Sequence, residues 1–132
     1  MTMDAFSDKH MTSNANQNIN VLLIDTEGYD FDVLKGAEKT LERVEYLEFE
    51  FSSAPRWMEF GLIDVIDYMD EKGFTCYWAG WKKLWRITGC WQKHFAKHQW
   101  SNVACVNNAL KPELAQKMEE VFEGTLAPKK KK

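Results

Sequence analysis

Apolar positions along this chain fall into two rhythms, continuous or alternating runs and steps of three to four residues, and the two alternate from residue 21 onward. Val21, Leu22, Leu23 and Ile24 form an unbroken apolar run, the pattern of a parallel strand buried on both faces, and Gly28 lets the backbone turn sharply after it. Phe31, Leu34, Ala37 and Leu41 then recur at helical spacing, which predicts an amphipathic helix packed on a sheet. Residues 44–51, VEYLEFEF, interleave apolar and acidic side chains and predict the next strand. Val44, Tyr46, Phe49 and Phe51 keep no strict period, so both of its faces are expected to be partly covered. Leu62, Val65, Ile66 and Met69 mark a helix that stops at Gly73. Residues 74–79 and 83–88 flank a short turn containing Gly80, the signature of a hairpin. A short strand over 103–106 follows, then a helix over 112–122 with Pro112 in its first turn and Leu114, Met118, Val121 and Phe122 on one face. The first twenty residues are mostly polar, and TSNANQN over 12–18 reads as a flexible loop.

The alternation predicts an α/β domain in which parallel strands are closed by an antiparallel hairpin, with helices on the faces. In open sheets of this class ligands bind outside the carboxyl ends of the strands, where Asp25 and Glu27 stand after the run 21–24. Both are candidate functional carboxylates. Asp30 and Asp32 have a plainer role, since the first turn of a helix favours negative charge and Asp30 suits a cap. Glu48 and Glu50 belong to the second strand, and one of them is expected to share the crevice of Asp25. Ser52, Ser53 and Arg56 follow that strand's end, where substrate loops sit, and Arg56 is a candidate partner for an anionic substrate group.

The run IDTEGYDFDVLKGAEKTL, with MTMDAF upstream, resembles the FkbM-type methyltransferases, S-adenosylmethionine-dependent enzymes of the Rossmann-like class. Ile24, Asp25, Glu27 and Gly28 match the strand-end segment of that family. Val33, Leu34, Gly36 and Ala37 match its helix segment, and Thr2, Asp4 and Phe6 its upstream segment. Met3 replaces the usual Leu, and Leu23 stands where the family usually carries Lys. The resemblance covers most of the chain but only the later half of the family's domain, so the expected fold is a truncated Rossmann-like methyltransferase sheet. It implies methyl transfer from S-adenosylmethionine to a hydroxyl of a small molecule, sugar or lipid headgroup. Asp25 would orient the donor or act as base, and Glu27 would touch substrate or hold the turn. Such sites rely on a Gly-rich loop, and this sequence has no G-x-G, its seven glycines being dispersed singly. The chain is therefore expected to be a fragment, a shortened gene model, or a domain that kept the fold's later half. The alternative is a noncatalytic interaction module derived from that fold.

Composition narrows the field. With 45% hydrophobic residues over 132 positions there is material for one core, while a sheet cut at its middle would expose an edge and invite self-association. The net charge of -3 gives no general attraction for nucleic acid. No apolar segment is long enough to span a bilayer, and a cytoplasmic location is the default expectation. The organisation expected is a polar, partly flexible segment over 1–20, a partial methyltransferase domain over 21–124, and a disordered Lys-rich tail over 125–132. Cys76, Cys90 and Cys105 are odd in number, lack C-x-x-C spacing, and argue against a disulfide framework. Cys76 and Cys105 read as buried free thiols. On a continuous helix Cys90, His94 and His98 would share a face, but three groups along one helix span about 12 Å, too far for a single ion, so no metal is expected. Five of the six tryptophans fall between residues 78 and 100 and are expected mainly in core and hairpin packing, with an aromatic wall for a sugar or flat apolar substrate as the second reading.

Overall fold

The computed structural model describes residues 1–11, 17–96 and 101–127. In chain order the elements are α1 (Met3–His10), β1 (Ile19–Ile24), α2 (Asp30–Lys35), β2 (Val44–Phe51), α3 (Leu62–Glu71), β3 (Phe74–Gly80), β4 (Lys83–Arg86), β5 (Ser101–Asn107) and α4 (Pro112–Leu126). Short 3-10 turns lie at Thr40–Arg43, Pro55–Glu59 and Lys93–Ala96. Among the described residues the strands form one sheet in the order β1-β2-β5-β3-β4. β1 and β2 are parallel, and β5 runs antiparallel between β2 and β3 while β4 pairs antiparallel with β3. The carboxyl ends of β1, β2 and β3 therefore point the same way, and β5 starts at that end.

Alternation on the strands divides the molecule into two layers. Ile24, Leu47, Phe49, Phe51, Val103 and Cys105 face α2 and α3, where they meet Phe31, Leu34, Leu62, Val65, Ile66 and Met69 in the main core. On the opposite face Tyr77, Ala104 and Val106 pack on Met118 and Phe122 of α4. Glu119 of α4 accepts a hydrogen bond from Tyr77 at 2.7 Å and pairs with Arg86 at 2.7 Å, tying α4 to the β3–β4 side. The β1–β2 side of this face is more open, with Val21 and Leu23 exposed by 55% and 68%.

Several expectations change accordingly. The run 21–24 is not buried on both faces: β1 is an edge strand, and its apolar character serves one covered face only. The stripe Phe31, Leu34, Ala37 and Leu41 is buried as expected, but the helix ends at Lys35 and the later members reach the core from turns. The polar opening gives no hint of α1, which is anchored by Asp4. Its carboxylate accepts hydrogen bonds from the Lys39 amide at 3.0 Å and from Thr40 at 2.8 Å and 2.6 Å. Burial opposes that charge, yet the hydrogen bonds outweigh it and hold Asp4 below the usual carboxylate value. The hairpin forms, with its turn at Trp81 and Lys82 rather than at Gly80, which pairs with Lys83.

Cys76 and Cys105 are not free thiols. They stand directly opposite on β3 and β5, with Cα atoms 4.1 Å apart, and are joined in a disulfide. The Cys76 carbonyl and amide turn instead to Ile87 and Thr88, so the two cysteines form a non-hydrogen-bonded pair, the closer of the two antiparallel arrangements. Register across 29 residues creates this proximity, and spacing along the chain carries no trace of it. The tryptophans divide. Trp57 is fully buried, Trp78 packs against the core and pairs across the hairpin with the half-exposed Trp85, as expected, whereas Trp81 and Trp91 are exposed, and Trp100 lies outside the described residues.

Candidate functional site

The strand-end motif folds into a tight turn because two successive residues take left-handed backbone. Glu27 has φ 55° and Gly28 has φ 101°, and the Tyr29 amide donates to the Thr26 carbonyl at 3.3 Å. Glycine is required at 28 on a second ground: a Cβ there would lie 2.9 Å from Cβ of Ala54. Asp30 then closes the structure. It is wholly buried, accepts from the Thr26 amide at 3.2 Å and hydroxyl at 2.5 Å, and accepts from the Glu50 amide at 3.0 Å. One carboxylate thus ties the turn after β1 to the end of β2, where hydrogen bonds to a charged group contribute about 1.5–3 kcal/mol each.

That clasp fixes the rim of a crevice of about 220 Å³ lined by Leu23, Ile24, Asp25, Glu48, Phe49, Glu50 and Asn102. The polar members come together through register. Glu48 pairs with Leu23 on one side and Ala104 on the other, and Glu50 pairs with Asn102. Tyr46, Glu48 and Glu50 project to one face because strand side chains alternate. Asp25 follows Ile24, the last paired residue of β1, and is exposed at the mouth. The Tyr46 hydroxyl donates to Glu48 at 2.5 Å, and burial together with this neighbour pushes the Tyr46 pKa well above the usual tyrosine value. Three carboxylates and one amide make a site that attracts a cation and can accept protons.

The other sequence candidates lie elsewhere. Glu27 is exposed on the turn and does not line the crevice. Arg56 faces Asp32, donating from Nε at 2.9 Å and from Nη2 at 2.7 Å, and also pairs with Glu59. Its guanidinium lies over the rings of Phe60 and Tyr29, at 4.8 Å and 5.7 Å from their centres. Those hydrogen bonds hold the Asp32 carboxyl below its usual value, against the opposing effect of burial. Asn102 was not anticipated. Extending the alternation of the run 103–106 back by two residues from Ala104 would have placed it on the same face. Cys90 and His94 share no continuous helix: Cys90 receives a hydrogen bond from Arg86 at 3.2 Å, while His94 sits in a separate 3-10 turn. His98 lies outside the described residues. No group of three or more metal-ligating side chains suited to an ion occurs among the described residues.

Residues 1–76 match the methyltransferase FkbM domain, more than half of the 132 residues. The chain belongs to the FkbM methyltransferase family. The matched part contains α1, β1, the Thr26–Tyr29 turn, α2, β2 and α3, and it ends within β3. No curated protein and no solved structure matches the chain. FkbM membership implies a donor of the S-adenosylmethionine type. The carboxylates and amide at the crevice fit the cationic and hydroxyl-bearing parts of such a donor, while the Gly-rich loop that would approach the remainder has no counterpart in this sequence. No described helix is long and apolar enough to cross a membrane.

Proposed function

We propose that the crevice at the carboxyl rim of β1 and β2 serves S-adenosylmethionine-dependent O-methyl transfer to a hydroxyl of a small molecule, sugar or lipid headgroup. The observation that carries this reading is the meeting of Asp25, Glu48, Glu50 and Asn102 at one opening, inside or beside the FkbM match. In this reading residues 21–124 form a Rossmann-like methyltransferase domain in part, with the parallel β1–β2 pair as the donor-facing edge.

When bound, S-adenosylmethionine supplies an electrophilic methyl group on a sulfonium centre. Asp25 and Glu50 favour the charged ligand by the negative field they set up in a partly enclosed site. Asp25, at the mouth, would accept the proton that the acceptor hydroxyl loses as its oxygen takes the methyl group and the carbon–sulfur bond breaks, its electron pair staying on sulfur to leave a neutral thioether. Glu27, exposed on the turn outside the crevice, would touch the acceptor or hold the turn, and Asp30 ties the turn after β1 to the Glu50 amide without touching either ligand. A transfer assay with isotopically labelled donor and a panel of hydroxylated acceptors tests the proposal. Labelled product is expected with the whole chain and is reduced about 10²-fold or more in Asp25→Asn, as for loss of a general base. Equal turnover by the variant would remove Asp25 from the chemistry.

A second reading, interaction through the sheet edge, is favoured by one observation: β1 is an uncharged edge strand with exposed Val21 and Leu23 and neither Lys nor Pro to discourage pairing. Sedimentation velocity over a concentration series should then show self-association that Leu23→Lys abolishes. A single monomeric species at every concentration would dispose of it.

A further inference from the structure

The β3–β4 hairpin ends in a tip that presents an indole and two ammonium groups to solvent. Trp78 and Trp85 face each other across the hairpin and, with Phe95, His94 and Ser101, line an aromatic opening of about 340 Å³ on one side of it. Trp81 stands apart from that packing. The turn at Trp81 and Lys82 takes Lys82 into left-handed backbone, with φ 55°, and leaves Trp81 85% exposed. The Lys82 ammonium lies over the Trp81 ring at 5.6 Å from its centre, and Lys83 beside it is exposed as well.

The last turn of α4 adds to this tip. α4 runs antiparallel to β4: Glu119 pairs with Arg86, and six residues later the Thr125 hydroxyl accepts from the Leu84 amide at 3.3 Å. The end of α4 therefore lies alongside the hairpin tip, and its Leu126 is 62% exposed. In the sequence four consecutive lysines, 129–132, follow Ala127 by two to five positions, so the chain itself carries their charge to this end of α4. Against Glu123, the acid of the last helical turn, stand Lys82, Lys83 and that run. A single exposed aromatic ring is ordinary, but one set among lysines beside a second exposed apolar side chain forms a surface with a definite chemistry.

That chemistry combines two attractions that a bilayer surface satisfies together. An indole is amphipathic and settles at the level of the headgroups, while lysines are drawn to anionic lipid within a Debye length, roughly 8 Å. Either attraction alone gives marginal attachment, and the two together give a stable one. The carboxylates of the crevice belong to β1 and β2, three to four strand spacings from β4, about 14–19 Å and beyond the screening length. We infer that the β3–β4 tip and the end of α4 form a docking surface for an anionic lipid bilayer. Trp81 enters the headgroup layer, and Lys82 and Lys83 meet the lipid phosphates and carboxylates. The inference does not rest on the methyl-transfer reading. Because the tip lies at the carboxyl end of β3, docking turns toward the membrane the end of the sheet that carries the crevice.

The test is co-sedimentation of the whole chain with phosphatidylcholine vesicles containing phosphatidylserine. Pure phosphatidylcholine vesicles and single-stranded poly(U) are the comparisons, the latter because an indole beside lysines can also stack on bases. Saturable binding to the anionic vesicles is expected, released by high salt and much weaker on neutral ones. Trp81→Ala should weaken it about tenfold, the order of one large apolar side chain returned to water. Lys82→Gln combined with Lys83→Gln should weaken it about 25-fold, at about fivefold per lysine. Lys9→Gln combined with Lys39→Gln removes the same charge from exposed positions in α1 and before β2, away from the tip, and should leave binding unchanged. All of these positions are exposed, and circular dichroism checks that each variant is folded. No binding to anionic vesicles, equal binding to neutral ones, binding that both tip variants leave intact, equal loss in the Lys9 and Lys39 variant, or retention by poly(U) without vesicle binding would each overturn the proposal.

Discussion

Asp30 and Asp32 stand two residues apart in the first turn of α2, and their surroundings give them different work. Asp30 is buried against the Thr26 turn and the Glu50 amide, whereas Asp32 is about one-third exposed and held by Arg56. Sequence spacing offered only a generic helix-start role for both, because neither partner is local: Glu50 and Arg56 arrive from β2 and the turn beyond it. Asp25 needed only the end of an apolar run to be singled out, and Glu50 only strand alternation. The Arg56 expectation rested on exposure in a loop, which the bidentate contact with Asp32 replaces. Because the folded pKa of Asp32 lies below its ordinary 3.8, the Arg56 contact stabilises the fold above that value and loses its effect as pH falls through the folded pKa. Arg56→Ala should therefore be less stable than wild type by a constant margin above about pH 5, and the margin should close on acidification. Urea unfolding at a series of pH values measures it, and a margin that widens in acid would contradict the assignment.

At the scale of elements, the strands and the later helices were legible because their patterns are local. The α3 stripe, the β3–β4 hairpin and α4 follow from spacing alone, and α4 continues to Leu126 past the expected 122. The position of β1 at an edge was not legible in its own residues, since an apolar run looks the same whether one face or two are covered. The disulfide was hidden for the same reason: it depends on β5 lying beside β3, an order fixed by tertiary structure. Its loop of 29 residues suggests about 3–4 kcal/mol of stabilisation from restriction of the unfolded chain. Alkylation of the unreduced, unfolded chain should modify one cysteine of the three, Cys90, and reduction should expose the other two and lower the urea midpoint. Modification of all three before reduction would show the bond to be absent. A lasting disulfide also belongs with an oxidising compartment, which weighs against the cytoplasmic default drawn from the sequence.

For the whole molecule, the β1–β2 parallel pair, β5 between β2 and β3, and helices on both faces place two openings at one end of the sheet. The acidic opening lies in and beside the FkbM match, and the aromatic one is built mostly from residues after it. Family membership was readable from the strand-end and helix segments because turn geometry and helix packing demand those residues in that order. The acceptor was not readable, since no local pattern in the chain specifies it. The central claim is that the Asp25 crevice holds a methyl donor, and calorimetric titration of the whole chain with S-adenosylmethionine tests it most directly. Saturable binding by the wild type, lost in a folded Asp25→Ala chain, is the predicted result. A folded wild type that takes up no S-adenosylmethionine, or an Asp25→Ala chain that binds it equally well, would contradict the account.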